Sequence, residues 1–300
     1  MYSKHIIKCA IFLMLFVFSA SISAQDFNRM ITARADSDSV TINKKSKNLP
    51  MNPGRTVEIE SNEGTWMSVD VSPDGSKIAF DFMGDIYEIP ISGGEAIQIT
   101  DGMAFDSKPR YSPDGKSLAY ISDAHGSDNI YYINLEDTSE VTQVTSGKSN
   151  GYFAVDWTPD GDYLIGSKGK GVAKLWMYHK DGGGGTALIS TPENLKTTDP
   201  VVGFEGRYIY FSQRNGSWNY NAQFPQYQVG RYDRETGDRT TVTSRYGSAF
   251  TPVTSSDGKW LVYGTRFEDK TGLVLHNLKN GDERWLAYPV QRDDMESQAT

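Results

Sequence analysis

Cysteine is almost absent, with Cys9 the single copy in 300 residues. Disulfide scaffolds and cysteine-ligated metal clusters are therefore excluded. Basic charge is also short. Against 38 Asp and Glu stand 30 Lys and Arg, so the formal charge is −8 and the isoelectric point about 5.1. No Lys/Arg cluster forms a basic face, which excludes nucleic acid or an anionic membrane as a partner held by counterion release. Histidine is scarce: four residues, no His-x-His pair and no acidic residue in zinc-ligand spacing.

Long apolar runs are missing but for one, Ile6 to Ala24, behind Lys4 and Lys8. Its most apolar part, Cys9 to Phe18, is short for a bilayer span, and Ser19-Ala20-Ser21-Ile22-Ser23-Ala24 supplies the small residues of a signal-peptidase site. The expectation is a cleavable signal peptide over residues 1–24, cut after Ala24, and a periplasmic or secreted protein with no membrane contact after cleavage. The mature chain would be cysteine-free, which removes thiol catalysis, and loss of Lys4 and Lys8 takes the charge from −8 to −10. Residues 25–54, polar and non-periodic, read as a flexible lead-in.

What is present is globular and turn-rich. Hydrophobic residues make 38% of the chain and charged ones 23%, with mean hydropathy −0.50 and 13 Phe, 6 Trp and 17 Tyr, too many aromatics for a disordered chain. One phrase recurs: Val71-Ser72-Pro73-Asp74-Gly75, Tyr111-Ser112-Pro113-Asp114-Gly115 and Trp157-Thr158-Pro159-Asp160-Gly161. Ser255-Ser256-Asp257-Gly258 has lost the proline, and Gly203-Phe204-Glu205-Gly206 is a degenerate copy. Proline pre-sets the second residue of a type I turn, Asp suits the third and Gly the fourth, so each copy reverses the chain between two strands. Period-2 runs follow, such as Ile78, Phe80 and Phe82, or Trp260, Val262 and Gly264. With intervals of 40 to 52 residues and about four strands per unit, the pattern predicts an all-β fold, a β-propeller of four-stranded antiparallel blades over residues 55–300. About five blades are expected, near 64–102, 103–148, 149–191, 192–246 and 247–288, making either a closed ring or an incomplete one. Arg55 to Glu60 alternates as a strand that could close the ring.

Beyond these repeats, the stretch from Glu63 through Trp66 to Gly75, continuing through Phe80-Asp81-Phe82-Met83-Gly84-Asp85-Ile86-Tyr87 to Asp106, resembles the N-terminal TolB-like or tricorn-like propeller of secreted amidohydrolase-family proteins. The resemblance continues at Tyr227 to Gly237 and at Glu283 to Asp294. It implies a downstream metal-dependent amidohydrolase barrel acting on C–N bonds, whose His-x-His pair and catalytic Asp are not in this chain.

No residue is assigned a catalytic, cofactor-binding or metal role. Gly147-Lys148-Ser149-Asn150-Gly151 matches the nucleophile-elbow pattern, but an inter-blade loop is expected there in place of the required strand-to-helix turn. It also fails as a phosphate loop, because Thr142 stands where the first Gly should be. Asp181 to Gly185 reads as a hairpin, Arg292-Asp293-Asp294 as a solvated turn, and His125, His179 and His276 as structural or solvated. No cofactor is expected in this chain, a metal being implied only for the downstream domain. Three functions fit: a non-catalytic propeller module capping or filtering access to a downstream catalytic domain; a stand-alone propeller binding a periplasmic protein or peptide; and a hydrolase served by Ser149 or an unrecognised acidic site.

Overall fold

A computed structural model describes residues 57–64, 67–215, 226–267 and 270–290. The expected signal peptide, the lead-in, Trp66 and Arg292-Asp293-Asp294 lie outside the described residues. Those that are described contain no helix and fold into five four-stranded antiparallel sheets, the blades of a β-propeller. Blade one is β1 (Val69–Val71), β2 (Lys77–Phe82), β3 (Asp85–Pro90) and β4 (Ile97–Gln98), and blade two is β5 (Asp106–Tyr111), β6 (Ser117–Ser122), β7 (Asn129–Asn134) and β8 (Val141–Gln143). Blade three comprises β9 (Tyr152–Trp157), β10 (Tyr163–Lys168), β11 (Lys174–His179) and β12 (Thr186–Ala187). β13 (Leu195–Val202), β14 (Tyr208–Asn215), β15 (Gln228–Asp233) and β16 (Arg239–Thr241) make blade four, and β17 (Phe250–Thr254), β18 (Trp260–Phe267), β19 (Lys270–Asn277) and β20 (Glu283–Val290) blade five.

Each recurring phrase is the turn between the first and second strands of a blade, and its side chains hold it shut. Ser72 Oγ donates to Asp74 Oδ1 at 2.6 Å and accepts from Lys77 N at 2.9 Å, while Gly75 N donates to Ser72 O. Ser112, Thr158 and Ser255 repeat the arrangement with Asp114, Asp160 and Asp257. The closing glycines sit at φ between +68 and +75°, a conformation that costs glycine nothing. In the fourth copy Gly203 replaces the hydroxyl residue, and only the backbone bond remains.

These turns also set the blades against one another. A Cβ on Gly115 would lie 3.4 Å from Pro73, one on Gly161 3.9 Å from Pro113, one on Gly206 3.1 Å from Pro159, and one on Gly258 3.0 Å from Phe204. Each turn glycine is thus seated on the second turn residue of the preceding blade. The first strand of a blade packs across the first three strands of its predecessor: β5 on β1, β2 and β3, β9 on β5, β6 and β7, β13 on β9, β10 and β11, and β17 on β13, β14 and β15. No comparable packing joins blade five to blade one among the described residues, and Gly75 has none of them within 4 Å of a Cβ position.

Buried aliphatic and aromatic residues fill the inter-blade layers. Ala79 and Ile86 of blade one meet Tyr111, Leu118, Tyr131 and Ile133 of blade two, and Ile165 and Leu175 of blade three meet Leu195, Ile209 and Phe211 of blade four. One expectation needs correction. Val57 to Glu60 form no strand, with Val57 57% exposed, because alternation without a partner's hydrogen bonds does not make a strand. The outer strand of blade five runs to Val290, pairing along β19 as far as Thr271.

Candidate functional site

The first strands line the middle of the wheel, and their backbone is bent. β5, β13 and β17 each break register within the strand, between Ser107 and Arg110, Thr198 and Val201, and Phe250 and Val253. The residues at the break, Lys108, Asp199 and Thr251, have φ of +60, +50 and +49°, and each precedes a proline. A left-handed residue before proline is strained twice over, by its own Cβ and by the ring that follows. The preceding blade holds two of them: Lys108 N donates to Asp81 Oδ2 at 2.8 Å and Thr251 N to Ser212 Oγ at 2.8 Å.

Two residues before the turn, the first strands of blades one to three carry Asp70, Arg110 and Asp156. Asp70 Oδ2 accepts from Tyr111 N at 2.8 Å and Asp156 Oδ2 from Val202 N at 2.7 Å, both across a blade boundary. Arg110 Nη1 donates back to Val69 O at 3.2 Å. Loss of solvent pushes the pKa of Asp156 up to about 6, against the pull of Arg110 and of the Val202 amide. The axial wall is therefore charged and tied together by inter-blade hydrogen bonds.

The face carrying the loops from second to third strands is split by charge. On blades three to five its cations cap aromatic rings: Lys168 over Trp176 at 4.9 Å, Lys196 over Phe153 at 5.0 Å, Arg214 over Tyr227 at 5.1 Å and Arg245 over Trp285 at 5.4 Å. Burial lowers the pKa of Lys196, and Arg214 lowers it further. On blades one and two the same face carries Asp85, Asp101, Asp106 and Asp123 instead. An open cleft of about 650 Å³ runs beside the 241–244 stretch of blade four, between Gln226, Gln228, Arg245 and Tyr246.

The residues weighed in the sequence are scattered. Ser149 lies in a bend between β8 and β9, not at a strand-to-helix turn, and its loop is pinned by Asn129, whose Oδ1 accepts from Gly147 N at 2.9 Å and Asn150 Nδ2 at 3.1 Å. His125 meets the hydroxyl of Tyr131 at 2.6 Å in blade two, and His179 lies 3.5 Å from Asp181 at the end of β11. His276 is buried in blade five, 3.0 Å from Glu283, which also accepts from Tyr263 at 2.6 Å and pairs with Arg245. Among the described residues, no group of three or more His, Cys, Asp or Glu is placed to hold a metal ion. Sequence reasoning missed the Asp70–Arg110–Asp156 wall, although each member stands two residues before a turn phrase and could have been found by aligning the repeats.

Comparison with known proteins agrees with this architecture. Over 208 residues the chain is 25% identical to a protein of Bacillus subtilis (strain 168) named uncharacterized peptidase YuxL, covering 66% of this chain and 29% of that one. Over 147 residues it is 30% identical to dipeptidyl-peptidase 5 of Porphyromonas gingivalis, covering 42% and 20%. The chain thus spans less than a third of the length of either relative. Among solved structures, a TolB described as putative from Agrobacterium tumefaciens superposes with a TM-score of 0.62 at 19% identity, covering 76% of this chain and 82% of that one, a likeness of fold. The family model of the TolB β-propeller domain matches residues 43–223, and with the repeated turns and five four-stranded blades this places the chain in the TolB β-propeller family.

Proposed function

We propose that this chain is a non-catalytic recognition propeller that caps or filters access to a hydrolase, most closely of the peptidase kind. The observation that carries the reading is the similarity, confined to less than a third of their length, to two proteins named as peptidases. Among the described residues the scattered histidines and the pinned Ser149 offer no nucleophile–base pair, which suits a recognition role over a catalytic one. An amidohydrolase barrel as the catalytic partner, implied by the segments from Tyr227 and Glu283, is the finer form of this proposal. A second reading, a stand-alone propeller binding a periplasmic protein or peptide, is favoured by membership of the TolB family.

Purified chain assayed against dipeptide amides and simple esters should give no turnover, and a Ser149→Ala preparation should behave identically. Turnover abolished by Ser149→Ala would overturn the non-catalytic reading. Export belongs to both readings: mass spectrometry should place the N-terminus of the mature protein at Gln25, and an intact Met1 on a cytoplasmic product would count against it.

A further inference from the structure

In blades two, three and four the residue that opens the third strand is a donor that ties down the loop leading to the next blade. Asn129 Nδ2 donates to Gly147 O at 3.1 Å, Lys174 Nζ to Leu195 O at 2.7 Å and Gln228 Nε2 to Arg245 O at 2.7 Å. Blade one breaks this rule. Its equivalent residue is Asp85, which accepts from Gln98 Nε2 within its own blade at 3.1 Å and, among the described residues, does not tie down the loop to blade two. Among blades one to four only blade one lacks this device, and a local rule broken in one repeat is a place to look for a further role.

The neighbourhood of Asp85 points to what that is. Asp106, which opens β5, is 5% exposed; burial raises its pKa against the pull of the Ser122 and Thr100 hydroxyls, and Oδ1 is buried with no hydrogen-bond partner among the described residues. Such an atom costs free energy until a donor reaches it. The charges of Asp101 and Asp123 act on the same carboxyl, Asp123 Oδ1 accepting from Phe105 N at 2.8 Å. None of the four takes part in the ion pairs found among the described residues. Close by in sequence are three exposed apolar side chains, Met83 at 69%, Phe105 at 61% and Met103 at 38%. The Met83-Gly84 turn, both residues at positive φ, packs against the Phe105 ring, 3.2 Å from a Cβ position on Gly84. Among the described residues no group of three ligating side chains is placed to hold a metal ion, so the cation that suits these carboxyls is one that brings its own hydrogen-bond donors.

We propose that the boundary between blades one and two at Asp85 and Asp106 is a binding site for a basic side chain of a polypeptide, a Lys or Arg whose charged end enters between these two carboxyls and whose methylene stem lies along Met83, Met103 and Phe105. The cation supplies the hydrogen bond that Asp106 Oδ1 lacks, and its stem covers apolar surface now facing water. Burial, then the charges of Asp106 and Asp101, push the pKa of Asp85 up to about 7, so an entering positive charge meets a field that favours it. The site does not depend on which enzyme, if any, the propeller serves.

The test titrates the purified chain with the capped peptide acetyl-Ala-Lys-Ala-amide, and with versions carrying Arg, acetyl-lysine or Glu in place of Lys. Binding is read by calorimetry and by the backbone amide shifts of Gly84, Phe105 and Asp106. The Lys and Arg peptides should bind saturably and move those amides, the acetyl-lysine and Glu peptides should not, and affinity should fall as NaCl is raised. Asp106→Asn and Phe105→Ala should each weaken binding at least about fivefold. Asp101→Asn, at an exposed position, should weaken it in the same direction and decides the matter if Asp106→Asn does not fold. Equal binding of acetyl-lysine, unchanged affinity in the folded aspartate variants, shifts that map elsewhere, calcium chloride moving the same amides at micromolar concentration, or no binding up to millimolar peptide would each overturn the proposal.

Discussion

Asp85 keeps its proton to about pH 7 in the folded protein, because burial and then Asp106 and Asp101 disfavour its charge, whereas an Asp in an unfolded chain loses it near pH ~3.9. Between those values the folded state binds more protons, so the stability contributed by the protonated group is complete below about pH 4 and is lost as pH rises through about 7. Asp85→Asn should therefore melt progressively higher than the parent as pH is raised from 4 to 8, a trend that paired melting curves will show. The groups facing it are Asp106, Asp101, Gln98 and Tyr87, of which the first two reinforce the effect. Asp156 invites a different substitution. Asp156→Ala leaves the Val202 amide without its acceptor and should cost about 1–3 kcal/mol in urea unfolding, while Asp156→Asn, which keeps an oxygen there, should cost less. Asp156 could have been found by aligning the repeats, but Asp85 was not legible as special in the sequence. Asp85 and Asp106 are 21 positions apart and belong to different blades, so only the packing of β5 against blade one brings them together.

The turns, by contrast, could be read directly, since Pro, Asp and Gly each act on the backbone next to them, and Ser72, Ser112, Thr158 and Ser255 need no distant partner to close the motif. Ser112→Ala removes the hydroxyl that accepts from Ser117 N and donates to Asp114, and should cost about 1 kcal/mol. The bulges were illegible for the opposite reason. Lys108-Pro109, Asp199-Pro200 and Thr251-Pro252 read as extended dipeptides, and only acceptors from the preceding blade, Asp81 and Ser212, hold two of them in the left-handed region. The seating of turn on turn yields a paired comparison. Gly206→Ala and Gly75→Ala share the backbone strain of φ near +75°, about 1 kcal/mol, but at Gly206 the new methyl also meets Pro159. The Gly206 variant should show the larger drop in urea midpoint.

At the scale of the molecule, all-β architecture with five four-stranded blades was legible because the phrase recurs at blade-length intervals, while residues 57–60 show the limit of alternation as a guide: Ile59 is 41% exposed and unpaired in any strand. At three of the four boundaries a set of side-chain links runs in one sense. Side chains of the earlier blade accept from backbone amides of the later one, Asp70 from Tyr111, Asp81 from Lys108, Asp156 from Val202 and Ser212 from Thr251. Removing the first sheet should thus loosen the second, seen as faster amide hydrogen exchange across 106–111, while removing the fifth should leave exchange in β13 to β15 largely protected. The turn glycines point the same way, each resting on the proline or phenylalanine that came before it. A completed blade is in effect the mould for its successor, so a chain emerging from the ribosome can cast the wheel in order of synthesis, each new strand finding its bend already dictated by the piece behind it.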